Sequence, residues 1–157
     1  MKVLFVCLGN ICRSPAAEGV FLHLLNERGI SDKFTVDSAG TSSFHVGERA
    51  DPRMREHALK RGIELPSRAR QFIRSDFDQF DWIVVMDNSN YENCLKVLKG
   101  EAEEELRPKL IKMASFTPKT GLAEVPDPYY GGAAGFEQVL DIVTEGSENL
   151  IEFLLKQ

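Results

Sequence analysis

The sequence predicts an α/β protein, an open parallel four-stranded sheet with helices on both faces. Three observations predict it. Short apolar runs alternate with amphipathic stretches of helical period. The run 82–86 is apolar throughout, as the middle of a parallel sheet requires. Turn and cap signals (Gly29, Asp51-Pro52, Gly62, Asp87) fall between these runs, where elements must stop or start. Such alternation builds a sheet covered on both faces through right-handed crossovers.

Residues 2–6 form the first strand. Ser14-Pro15-Ala16-Ala17-Glu18 then reads as a helix start, with a hydroxyl at the cap, Pro at the first helical position and an acid in the first turn. Ala17, Val20, Phe21, Leu24 and Leu25 keep helical spacing to about residue 28, and Gly29 ends the helix. Residues 34–37 are the second strand, followed by a loop of small residues over 38–43. Asp51-Pro52 caps a helix reaching about Arg61 and closed by Gly62. Residues 82–86 are the third strand. Asp87 caps the next helix, where Tyr91, Cys94, Leu95 and Leu98 share a face, so Cys94 reads as core. The acid-rich stretch 101–105 reads as a solvated helix end or turn. Residues 110–113 are the fourth strand, and a long loop runs to about residue 135. Phe136, Val139, Leu140, Val143, Leu150 and Leu154 mark a final amphipathic helix.

With 157 residues, 43% of them hydrophobic, the chain has core enough for one domain, expected to span 1–157. No apolar run approaches the ~18 residues of a membrane span. The first residues enter a strand at once, which leaves no room for a signal peptide, so a cytoplasmic protein is expected. A net charge of -5 argues against nucleic acid as the main partner. Three cysteines make neither a disulfide framework nor a metal set. His23, His45 and His57 lie at no ligand spacing and read as structural or surface residues, so no metal and no cofactor is expected. The charge is unevenly spread. Residues 49–74 carry eight basic side chains against three acids, whereas the chain after Thr120 carries seven acids and only Lys156. These are either two solvated helix faces or a basic edge that steers an anionic substrate.

The segment richest in chemistry is Cys7-Leu8-Gly9-Asn10-Ile11-Cys12-Arg13-Ser14, directly after the first strand. A loop that feeds a helix N-terminus aims several backbone N–H groups at one spot, which attracts a dianion such as phosphate. Arg13 adds a planar fork that suits two phosphate oxygens. Cys7, at the loop's entry, would lie beneath the bound phosphorus, in a field that makes a cysteine nucleophilic. The plainer alternative is a strand-loop-helix connection with two small buried cysteines. In open α/β sheets ligands bind beyond the carboxyl ends of the strands. The Cys7 loop, the Ser38 loop and the loop containing Asp127 all lie at such ends.

The chain resembles the low-molecular-weight protein tyrosine phosphatases over essentially its whole length. The resemblance rests on VCLGNICRSPAAE at 6–18, DSAGTSS at 37–43, ARQF at 69–72, MDNSN at 86–90 and DPYYGG at 127–132. It implies a flavodoxin-like fold and hydrolysis of phosphotyrosine in proteins, and of small aryl phosphates, through a phosphocysteine intermediate. Cys7 is the implied nucleophile. Arg13 and the amides of Leu8, Gly9, Asn10, Ile11, Cys12 and Ser14 form the implied phosphate-binding loop. Ser14 Oγ would stabilise the Cys7 sulfur as a leaving group, although its role as a helix cap fits equally. Asn10 is expected to take a left-handed backbone conformation and tie the loop to Ser38. Family members carry a histidine just ahead of the RARQ segment; Ser67 stands there instead, so loop support is expected to be weaker or differently arranged.

The resemblance also implies that Asp127 protonates the departing phenolate and then activates water. Asp51-Pro52 precedes a helical run and reads as an ordinary cap. Asp127-Pro128 precedes Tyr-Tyr-Gly-Gly, and Pro128 biases Asp127 towards an extended backbone. Phe44 and Tyr129 are candidate walls of a slot for a flat phenyl ring. Cys12 reads either as a small packing residue or as a redox partner that captures oxidised Cys7. Tyr129 and Tyr130 are themselves candidates for phosphorylation. The expected partner is a phosphotyrosine-containing protein such as a tyrosine kinase, met by a monomer, with inorganic phosphate as product. Two rivals share the scaffold. A thioredoxin-coupled arsenate reductase would need two further cysteines close together, and only Cys94 lies in that region. A non-catalytic phosphotyrosine-binding module would need neither nucleophile nor acid.

Overall fold

A computed structural model describes residues 1–157. Four strands, β1 (Lys2–Cys7), β2 (Thr35–Gly40), β3 (Trp82–Val85) and β4 (Leu110–Lys112), form one sheet in the order β2-β1-β3-β4. Every pairing is parallel. The helices are α1 (Arg13–Glu27), α2 (Pro52–Leu59), α3 (Asp76–Gln79), α4 (Asn88–Lys96), α5 (Glu103–Leu106) and α6 (Ala133–Leu154). No helix is long and apolar enough to cross a membrane.

The period-2 alternation of β1 divides the core. Val3, Phe5 and Cys7 face one apolar cluster, which α1 and α6 cover; Leu4 and Val6 face a second, which contains Phe72, Phe77, Cys94 and Leu98. Phe5 meets Phe21 of α1 edge-on, with ring centroids 5.3 Å apart, and both rings are fully buried. Losing either ring would cost about 3–5 kcal/mol. Cys94 lies wholly inside the second cluster, where burial pushes its thiol up.

The connection from β1 to β2 leaves towards one edge of the sheet, and the next return, to β3, pairs on the other side of β1. The carboxyl end of β1 is therefore the switch point at which such sheets open a crevice. Cys7 is its last residue.

Several boundaries differ from the sequence reading. Helix α1 begins at Arg13 with Cys12 in the cap position, so Ser14 is its second residue and Pro15 its third, and the first turn holds no acid. A tertiary demand on the Ser14 hydroxyl, described below, overrides its local capping preference. Strand β2 runs on through Ser38 and Ala39 to Gly40, because pairing with β1 continues to the Cys7–Gly40 pair. Finally, α6 starts at Ala133, and α2 ends at Leu59 ahead of Gly62, whose φ is +77°.

Candidate active site

The loop from Leu8 to Cys12 is held from three sides. Thr41 and Ser42 donate backbone N–H bonds to the carbonyls of Cys7 and Leu8, both at 2.9 Å, and Asp51 N–H donates to Ile11 O at 2.8 Å. Asn10 is 2% exposed and adopts φ +57°, the left-handed conformation that Asn tolerates. Its Nδ2 donates to Ser14 Oγ at 2.8 Å and to Ser38 Oγ at 2.9 Å, while Oδ1 accepts from Arg70 N–H at 3.0 Å. Gly40 passes directly beneath. A Cβ there would lie 2.7 Å from Leu8 O and 3.0 Å from Asn10 N, so only glycine lets the loop sit this low.

Cys7 Sγ accepts the Asn10 N–H at 3.3 Å and lies 3.0 Å from Ser14 Oγ. Because Ser14 Oγ accepts from Asn10, its own proton is available to the sulfur; the alternative acceptor, Ala39 O, is farther away at 3.4 Å. The hydroxyl therefore serves the sulfur and not a helix end. The amides of Leu8, Gly9, Ile11, Cys12, Arg13 and Ser14 find no acceptor in the protein. Such a row of unanswered donors at a helix N-terminus is the arrangement that attracts an anion.

Arg13 is 2% exposed. Its Nη1 donates to Asp87 Oδ2 at 2.7 Å and to Val125 O at 3.1 Å, while Nη2 lies 3.6 Å from Asp127 Oδ2. Burial works against its charge, but Cys7, Asp87 and Asp127 outweigh this and raise its pKa above the usual arginine value. With Nη1 fixed, the Nε–Nη2 edge remains for an incoming anion. Asp87 is thus more than the cap that the sequence suggests. It caps α4, with Asn90 completing a capping box, and also anchors Arg13.

Asp127 Oδ1 accepts Tyr129 N–H at 3.0 Å, which turns the loop back on itself and leaves Oδ2 facing the cavity. The cavity, about 160 Å³, has Cys7, Cys12 and Arg13 at its floor and Asp127 on its rim. Ile11, Phe44 and Tyr129 line it, together with Leu8, His45 and Tyr130. Phe44 stands at the mouth, 84% exposed, whereas Tyr129 packs partly into the core.

His45 needs correcting from a structural or surface residue to a wall of this cavity. Its ring lies near that of Tyr129, with centroids 6.1 Å apart, and its Nδ1 is 2.5 Å from Glu48 Oε2. His57 and His23 do have structural roles: His57 stacks on Phe136, and His23 pairs with Glu27 on the surface. Glu18 is another residue that the sequence did not reveal. Its Oε1 accepts from Ser38 Oγ at 2.6 Å, extending the Asn10–Ser38 chain inward. Burial pushes its carboxyl up, opposed by the hydroxyls of Ser38 and Ser67. Ser67, just ahead of Arg68-Ala69-Arg70-Gln71, faces this acid. Cys12 is 4% exposed, and burial, helped by Asp51 and Cys7, pushes its thiol well up.

The profile of the family described as low molecular weight phosphotyrosine protein phosphatase matches residues 2–157. The chain belongs to this family. A Synechocystis sp. protein bearing the family's name is 48% identical over 157 residues, covering 100% of this chain and 98% of the relative. A crystal structure of an Entamoeba histolytica protein tyrosine phosphatase with Hepes in the active site superposes with a TM-score of 0.92 at 46% identity, covering 99% of this chain and 97% of the other. A Drosophila arginine phosphatase superposes at 0.84 with 33% identity, covering 98% of each chain. The low molecular weight phosphatases are enzymes, and the fold around this cavity is theirs.

Proposed function

We propose that the chain is a single phosphatase domain over 1–157 that hydrolyses phosphotyrosine in proteins through a phosphocysteine intermediate. The observation that carries this reading is the row of unanswered loop amides around Cys7, with the free edge of Arg13 beside them and Asp127 on the rim. These donors hold the three equatorial oxygens of the phosphoryl group, where charge spreads in the transition state. Cys7 Sγ attacks phosphorus in line, and the P–O bond to the phenol breaks as Asp127 gives the phenolate its proton. Water then attacks the phosphocysteine, Asp127 takes one of its protons, and inorganic phosphate leaves. The Ser14 hydroxyl stabilises sulfur as it departs.

The apolar and aromatic walls fit a phenyl ring. Asp127 is the one carboxylate among the lining residues and is committed to the leaving group, so no second acid receives the guanidinium of a phosphoarginine. A phosphotyrosine-bearing protein, a tyrosine kinase among the candidates, is the partner of a cytoplasmic monomer. Under peroxide, Cys7 becomes a sulfenic acid, and the neighbouring Cys12 thiol condenses with it to give a disulfide and water. Until then, burial keeps Cys12 as a thiol that does not compete for phosphorus. Tyr130, 95% exposed, is open to phosphorylation in a way that half-buried Tyr129 is not.

The test is phosphate release from phenyl phosphate, a phosphotyrosine peptide and phosphoarginine, with chelator present. The expected result is turnover of the first two, abolished by Cys7→Ser and strongly reduced by Asp127→Ala. Absence of turnover by the reduced wild type, or a preference for phosphoarginine, would overturn the reading.

A further inference from the structure

The basic segment singled out in the sequence resolves into two kinds of side chain. Five of its eight cations are spent within the fold: Arg53 on Asp51, Lys60 on Glu56, Arg61 on Glu137 and Asp141, Arg70 on Asp37 and Asp76, and Arg74 on Asp78. The other three, Arg49, Arg55 and Arg68, form no ion pair. Arg55 Nε donates only to Ala50 O at 2.9 Å, Arg68 Nη1 only to Gly47 O at 3.0 Å, and the Arg49 guanidinium donates to nothing.

These three converge. Arg49 and Arg68 are directly opposed in an antiparallel bridge, which puts their side chains on one face. Arg49 and Arg55 line a groove of about 250 Å³ whose other walls are Leu59, Ile63, Leu65 and Pro66. Glu64 is the groove's one acid, and it pairs with neither arginine. A chain with a net charge of -5 thus gathers unneutralised guanidinium groups around an aliphatic trough.

The groove is tied to the reaction cavity by a single short segment. Phe44 and His45 line the cavity, Gly47 and Glu48 pair with Ala69, and Arg49 opens the groove. Phe44 and Arg49 are five steps apart along the chain, at most about 17 Å if extended, and closer here because the segment turns, with Glu48 N–H donating to His45 O at 2.9 Å. An extended peptide spans that distance in about five residues or fewer. We infer that the groove docks an acidic stretch of the phosphoprotein substrate itself, within about five residues of its phosphotyrosine, an inference that rests on the phosphotyrosine reading above. Carboxylates of that stretch pair with Arg49, Arg55 and Arg68, and an aliphatic side chain lies over Leu59 and Ile63. Electrostatic contacts of this kind select the partner and speed encounter without touching the chemistry.

The test compares kcat/KM on phenyl phosphate and on three phosphotyrosine peptides. Two carry glutamates and one leucine at three to six positions from the phosphotyrosine, on the N-terminal or the C-terminal side; the third carries alanine on both sides. Wild type is expected to favour one acidic peptide over the alanine peptide by roughly five- to tenfold at low salt, in line with two or three exposed ion pairs. The preference should fade as sodium chloride approaches 0.5 M. Arg49→Ser combined with Arg55→Ser should abolish it while phenyl phosphate turnover stays at the wild-type level, and Arg55→Lys should retain most of it. Equal rates on all three peptides, or a preference that survives the double substitution, would overturn the docking site and leave the phosphatase reading standing. Loss of phenyl phosphate turnover by wild type would overturn both.

Discussion

The chain contains the dipeptide Asp-Pro twice in comparable settings, and the two copies serve opposite purposes. Asp51 is buried, its side chain 6% exposed, and it accepts from Arg53 N–H to cap α2. Its backbone N–H holds Ile11 O, so it supports the Leu8–Cys12 loop from below. Asp127 has a side chain 39% exposed and caps no helix, and its carboxylate overhangs the same loop from the other side. The difference arises downstream. Arg-Met-Arg-Glu continues as a helix, whereas Tyr-Tyr-Gly-Gly does not. Pro is compatible with both because it suits a first helical turn and also restrains an extended residue before it. A residue that supports the loop and one that reaches over it should fail differently when removed.

The largest separation is expected from Asp127→Ala. It should lower kcat on phenyl phosphate by about 10²–10⁴, the usual worth of a general acid. The loss should be much smaller on p-nitrophenyl phosphate, whose leaving group needs no proton. Urea unfolding should move by no more than about 0.5 kcal/mol, since the side chain is a surface one. An equal loss on both substrates would remove Asp127 from proton transfer.

Next comes Gly40→Ala, on the supporting side. Its Cβ must displace the Leu8 carbonyl, which re-aims the loop amides. Inhibition by inorganic phosphate should weaken by about tenfold to a hundredfold, a range typical of misplaced donors. Retention of wild-type phosphate affinity would mean that the loop tolerates this shift.

Asp51→Ala should cost about 1 kcal/mol of stability, as lost caps do, with kcat little changed. Its pH dependence has a definite sign. Burial works against the Asp51 carboxylate, but the hydrogen bonds from Arg53 outweigh it and hold the group below the ordinary Asp range. The contribution is therefore present above that range and lost as pH falls through the folded-state value. Urea titrations of wild type and variant should converge in acid; a gap that stayed constant would assign the cost to something other than the carboxylate.

The smallest effect is expected at Glu18, which burial holds above the ordinary Glu range. Its stabilising contribution is present below that range and is lost as pH rises through the folded-state value. Glu18→Gln keeps an acceptor for Ser38 without the buried charge. Its melting temperature should therefore change less than that of wild type between pH 4 and pH 7. Parallel curves would show that the ionised carboxylate is tolerated at no cost.

Much of this architecture was legible because local signals and tertiary demands agree. The apolar runs at β1 and β3, Gly29 after α1, and the caps Asp51 and Asp87 are each written in a few adjacent residues. Where they conflict, the local reading fails. Ser14 and Pro15 form a good helix start on paper, yet the helix begins earlier because the Ser14 hydroxyl is drawn to Cys7 and Asn10. Glu18 and His45 carried no mark of their surroundings. One faces Ser38, twenty residues on, and the other reaches Gly9 and Tyr129 only after the chain has folded back.

By itself the sequence determined the alternation of strands and helices, the order Cys7 to Arg13 at the end of the first strand, and Asp127 on a restrained loop. All of these depend on neighbours within a few residues, the range over which backbone preference and side-chain period act. Only the tertiary structure decided which of eight basic side chains remain unpaired, how Arg13 is turned by Asp87 and Val125, and why Gly40 admits no side chain. These depend on groups from separate strands and loops meeting at one sheet edge. Charge pairing and close contact are properties of distance in space, which spacing along the chain does not encode.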